Sequence, residues 1–169
     1  AYANAVATGG TRPLLAPLWD DLKITAATGF SYQTSGTAPN RVFTAECLNL
    51  YWNYVASGAG ISFQIKLYEA LGKIEYVYRQ EATAVNAGSA SIGLSASGTG
   101  SGNFLSLNGT GASPAVSSTT ETTNLSTKPA TGQIYSFTPS APTAPTNLTF
   151  TNIMATSMTL NWTDNATNE

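Results

Sequence analysis

The stretch at residues 61–79, ISFQIKLYEALGKIEYVYR, restricts the fold more than any other part of the chain. Apolar and polar residues alternate on both sides of Glu69-Ala70-Leu71-Gly72, which is the period of a strand half-buried in a sheet. Setting Tyr68 against Lys73 closes a four-residue loop. Phe63, Ile65 and Leu67 then pair with Tyr78, Tyr76 and Ile74 on one face. The other face places Lys66 opposite Glu75, and Gly72 takes the loop position where a left-handed backbone is wanted. A slip of one residue would turn the apolar row outward, so the register is tightly specified.

The rest of the chain extends this pattern. Residues 1–11 are small and polar and read as an edge strand or an arm. The segment PLLAPLWDDL carries two prolines that bar it from the middle of a sheet, and it should bury Leu15, Leu18 and Trp19 while its aspartates reach a turn. A short strand is expected at residues 30–34 and a long one at 41–54. In the long one Phe43, Ala45 and Cys47 keep one phase while Leu48, Leu50 and Trp52 keep the other. Either a β-bulge near residues 47–49 repairs the phase or both faces are covered. Ala90, Ile92 and Leu94 alternate in another strand, followed by strands at Phe104, Leu105, Leu107 and at Ile134, Tyr135, Phe137. Residues 110–130, rich in Ser and Thr, read as a long exposed excursion. No apolar stripe recurs at helical spacing. Short strands separated by Gly, Pro, Ser and Asn predict an all-β chain, an antiparallel β-sandwich of jelly-roll or immunoglobulin-like type over residues 1–139.

Composition narrows the chemistry. Of 169 residues only 9% are charged and the formal net charge is −2, so no basic field exists to attract nucleic acid. No apolar run approaches the roughly 20 residues a membrane helix needs, and no membrane insertion is expected. The chain opens on Ala1 and reads as a processed or trimmed segment. It has no histidine and one cysteine, which excludes an internal disulfide, Cys/His zinc sites and the Ser-His-Asp arrangement. Cys47 reads as a small buried hydrophobe.

The remaining candidates are few. Asp20 and Asp21 are adjacent carboxylates that could contribute to a calcium site, although that ion takes six to eight oxygens; the plainer role is a turn cap beside Trp19. As a hydrolytic pair they are poorly placed, because neighbours on a strand point to opposite faces. No other cofactor is expected. Tyr68, and with it Tyr51 or Tyr54, are candidates for stacking on a sugar ring, although core packing or an interface is the plainer use of such aromatics. The glycine-rich run at residues 98–102 lacks the Lys-Ser/Thr ending of a phosphate loop.

At Ser140 the composition changes to APTAPT, a stiff linker over residues 140–146. Two alternating runs follow, NLTFT and SMTLNW. With Pro142, Pro145, Leu148, Thr156, Ser157, Met158, Leu160 and Trp162 in place, residues 141–169 resemble the start of a fibronectin type III domain, whose first two strands fall within residues 147–169. Two strands cannot bury Leu160 and Trp162 alone, so Trp162 is a candidate interface residue. The cover would come from the first domain, from the rest of the module or from a neighbouring copy.

The first domain also carries a resemblance. APLWDD, ISFQI and GKIEYVY together are similar to a β-sandwich module of secreted Bacteroidetes proteins and, distantly, to the nidogen extracellular domain. That likeness implies a secreted or surface multidomain protein without assigned chemistry. The expectation is a non-enzymatic structural or adhesive module, anchored by Trp19, Phe63, Ile65, Ile74, Tyr76 and Trp162. Its partners would be other copies of itself, other surface proteins or glycans. A filament subunit joined by strand pairing and a carbohydrate-binding module are the alternatives.

Overall fold

The computed structural model describes residues 11–25 and 29–166, so the arm or edge strand expected at the start of the chain lies almost wholly outside the described residues. The chain divides into two compact units, Ala1–Thr138 and Pro139–Glu169.

The first unit is a sandwich of two antiparallel sheets. The larger has six strands: β2 (Leu22–Lys23), β3 (Phe30–Ser35), β4 (Val42–Trp52), β5 (Ile61–Tyr68), β6 (Ile74–Gln80) and β10 (Ile134–Phe137). They run in the order β10-β6-β5-β4-β2, with β3 also paired to β4. The smaller sheet has the order β1-β7-β8-β9, from β1 (Leu14–Trp19), β7 (Ser91–Ser95), β8 (Phe104–Leu107) and β9 (Val116–Ser117). The proline-bearing β1 is an edge strand, where its missing donors cost no ladder bond.

The hairpin takes the register expected from its alternation: Phe63 faces Tyr78, Ile65 faces Tyr76, Leu67 faces Ile74 and Lys66 faces Glu75. Gly72 has φ +58°. The phase shift in β4 is a bulge, because pairing with β5 jumps from Cys47–Phe63 to Leu50–Ile61. Asn49 takes φ +56° there, and its N–H donates to Ser62 Oγ at 2.8 Å. The bulge turns Leu50 and Trp52 inward, where both are buried.

The main core lies between the sheets. Leu50, Trp52, Ile61, Phe63, Tyr76, Tyr78, Tyr135 and Phe137 from the larger sheet meet Leu18, Ile92 and Leu107 from the smaller. Two phenols fasten the layers together. Tyr76 Oη donates to the Gly93 carbonyl at 2.8 Å, and Tyr78 Oη donates to the Pro17 carbonyl. Each bond satisfies a hydroxyl that would otherwise be buried without a partner.

Trp19, expected to be buried, is half-buried and packs with Leu14, Ala16 and Phe104 in a satellite cluster beside the main core. The register explains it: Leu14, Ala16 and Trp19 align with Ser95, Gly93 and Ser91, whereas the core-facing Leu15 aligns with Leu94. Residues 110–130 are also not a free excursion. Leu125 is buried and bridges Ala90, Thr122 N–H donates to Ser106 Oγ, and Lys128 Nζ donates to the carbonyls of Glu81 and Thr83.

The second unit is a hairpin of β11 (Thr146–Thr151) and β12 (Thr159–Thr163), with Phe150 facing Leu160. One face carries Leu148, Phe150, Leu160 and Trp162, all exposed. The other is knitted by amide–hydroxyl bonds from Asn161 to Thr151 and from Asn147 to Thr163. Trp162, expected as an anchor, is 58% exposed.

Candidate functional site

The Asp20 carboxylate lies at the turn that ends β1. Its Oδ2 accepts from Trp52 Nε1 at 2.8 Å and from the Ser89 amide at 2.7 Å; its Oδ1 accepts from the Asp21 amide at 2.8 Å and from Ser89 Oγ at 3.1 Å. Burial pushes this carboxyl up, but the donors from Ser89, Trp52 and Asp21 outweigh it and hold the group below its ordinary value. Asp20 thus ties three distant segments together. Among the described residues no group of three or more His, Cys, Asp or Glu comes together as a metal would require.

The outer face of the larger sheet is a polar ladder. Ser31, Glu46, Gln64 and Val77 align across four strands, and Gln33, Thr44, Lys66, Glu75 and Ser136 form the next row. Glu46 accepts from Gln64 Nε2, and Glu75 accepts from Tyr68 Oη, Lys73 Nζ and Ser136 Oγ. Glu81 accepts from Ser62 Oγ and Arg79 Nε. Two shallow hollows flank the Glu46–Gln64 pair, of about 250 and 180 Å³.

Tyr68 and Tyr51, the candidates for sugar stacking, each carry a lysine over the ring: Lys73 Nζ lies 4.0 Å from the Tyr68 centroid and Lys23 Nζ 4.8 Å from that of Tyr51. The hydrogen bond to Glu75, with burial, raises the Tyr68 phenol above its ordinary value. Cys47 is half-buried against the core, and burial raises its thiol, which keeps it protonated and unreactive.

Among the described residues, part of the inner face of the larger sheet lies outside the main core, as an overhang. Phe30, Tyr32 and Thr34 of β3, Phe43 and Ala45 of β4 and Leu67 of β5 share the core-facing phase, yet none belongs to the main core. Phe30 is 52% and Tyr32 70% exposed, and the Tyr32 and Phe43 rings lie 6.0 Å apart. Beside them is a hollow of about 360 Å³, bordered by Thr34, Phe43, Leu67 and Tyr68 and rimmed by Arg41 and Glu69. Arg41 donates to Glu69 through its amide, Nε and Nη2, which pulls the exposed Glu69 carboxyl down to about 2. Sequence reasoning missed this overhang. The phase shared by Phe30, Tyr32, Phe43 and Leu67 was the available signal.

Residues 1–139 match the pattern of a protein family described as NIDO related. No curated protein and no solved structure matches the chain.

Proposed function

The chain belongs to the NIDO-related family, whose members are typically extracellular, and from that premise we propose that it is a non-enzymatic structural or adhesive module of a secreted or cell-surface bacterial protein. The observation that carries this reading is the use made of the carboxylates. Asp20, Glu46, Glu69, Glu75 and Glu81 each accept hydrogen bonds from neighbouring strands or loops. Acids spent on stitching a scaffold do not converge on a scissile bond. What the scaffold offers a partner is surface area and sheet edges. In this reading residues 147–162 open a fibronectin type III domain, and the protein chains further modules behind the first.

Assembly into a filament is the second reading, favoured by the exposed apolar face of Leu148, Phe150, Leu160 and Trp162. A carbohydrate-binding role has less support, since a lysine already covers one face of both Tyr68 and Tyr51. The test is antibody labelling of intact and permeabilised source cells, alongside retention of those cells on a surface coated with the chain. Labelling of intact cells together with retention is expected. Labelling confined to permeabilised cells would sink the proposal.

A further inference from the structure

An open sheet ends in strands with unpaired backbone groups, and folded proteins blunt such edges with prolines, charges, bulges or brevity. Among the described strands of the sandwich, the edges are blunted with one exception. β1 contains Pro17 and follows Pro13, β2 and β9 have two residues each, and β10 has four and runs into Pro139. β3 has six residues, all exposed, with no proline, glycine or charged side chain, and it pairs with β4 through six successive residues without a bulge.

The direction of its free groups follows from the ladder. Glu69 N–H donates to the Arg41 carbonyl, across the pairing of β4 with β5. Backbone groups alternate along a strand, so those of Phe43, Ala45 and Cys47 turn to β5 and those of Val42, Thr44 and Glu46 turn to β3. There they engage Ser35, Gln33 and Ser31. The N–H and C=O of Phe30, Tyr32 and Thr34 therefore face outward, and they meet no hydrogen-bond partner among the described residues. Three donors and three acceptors at two-residue spacing are complementary to an extended strand.

Charge adds a preference. Ser31, Glu46 and Gln64 align across the outer face and border, with Gln33 and Thr44, a hollow of about 250 Å³. Glu69, Glu75 and Glu81 each hold an arginine or a lysine, whereas Glu46, among the described residues, accepts only from the Gln64 amide. A residue added opposite Ser31 would lie two strand spacings from Glu46, about 10 Å between Cα atoms. A lysine or arginine there spans that gap by lying over Ser31.

We propose that the β3 edge binds an extended peptide segment of another protein as an added antiparallel strand, with a lysine or arginine opposite Ser31 that pairs with Glu46. The residues opposite Phe30, Tyr32 and Thr34 are aromatic or β-branched, the side chains that pair best with them across a ladder. This edge supplies the contact that the adhesive reading calls for, and rests on that reading only for its setting outside the cell. Binding in solution tests the edge, and cell labelling tests the setting.

The test is titration of the full chain, at a concentration where sedimentation shows a monomer, with the capped peptide Thr-Val-Thr-Val-Lys-Val-Thr, followed by calorimetry and amide hydrogen exchange. Binding with a Kd below about 1 mM is expected, with slowed exchange at the amides of Phe30, Tyr32 and Thr34. Glu46→Gln should weaken this peptide about two- to fivefold and leave unchanged the affinity of the same peptide with Thr in place of Lys. Tyr32→Pro removes an outward N–H and no ladder bond, so it should abolish binding and keep the circular dichroism. No binding up to that concentration, protection at β11 or β12 in place of β3, or a Glu46→Gln variant that treats both peptides alike would overturn the proposal. So would a chain that closes this edge with a second copy and does not take the peptide.

Discussion

Asp20 illustrates how a single side chain acquires a role that its neighbours in sequence do not reveal. The pair Asp20-Asp21 suggested a hard-cation site or a turn cap. What fills the oxygens of Asp20 is the indole of Trp52, 32 residues away, and the backbone and hydroxyl of Ser89, 69 residues away. No local pattern announces such partners. Asp20→Asn would turn one acceptor into an amide facing N–H donors, at a cost of about 2 kcal/mol. The folded carboxyl is held below the ordinary 3.8, so its contribution is complete above that value and is lost as the pH falls through the folded pKa. The gap in thermal midpoint between wild type and Asp20→Asn should therefore be full near neutrality and close in acid. A gap that stays constant through the acid range would show that the charge contributes nothing.

Elements were legible in proportion to how much of their determination is local. The β5–β6 hairpin and the β4 bulge follow from alternation, a glycine and a phase slip. Strand β9 and the pinning of residues 110–130 do not, because Leu125, Ser106 and Lys128 act through distant partners. Nor does the overhang, since whether a face is covered depends on what packs against it. Gly93 marks a close approach between β7 and β8. A Cβ there would lie 2.0 Å from the Leu105 carbonyl oxygen, at the strand pair that carries Tyr76's acceptor. Gly93→Ala should push β8 from β7 and cost about 2–4 kcal/mol, read as a lowered urea midpoint. Gly109→Ala, with nothing within 4 Å, serves as the control and should leave that midpoint in place.

For the molecule as a whole, the limit of stability on the alkaline side is built into the core. Tyr76 and Tyr78 are buried between the sheets, and burial raises both phenols well above 10.0. A folded pKa raised above the unfolded one gives stability that is complete below pH 10 and lost as the pH climbs beyond it. Unfolding monitored by circular dichroism should steepen there. Tyr78→Phe should lower stability at neutral pH by about 1–2 kcal/mol through its lost bond to Pro17. The same variant should fall less steeply above pH 10; an unchanged slope would place the alkaline transition elsewhere.

Those two phenols also decide how the module answers a pulling force. The strands that bound the sandwich, β1 and β10, belong to different sheets, so tension along the chain drags one layer across the other. The Tyr78–Pro17 and Tyr76–Gly93 bonds run straight across that slip plane. They act as rivets, so a force that slides one layer of the sandwich over the other has to load both bonds.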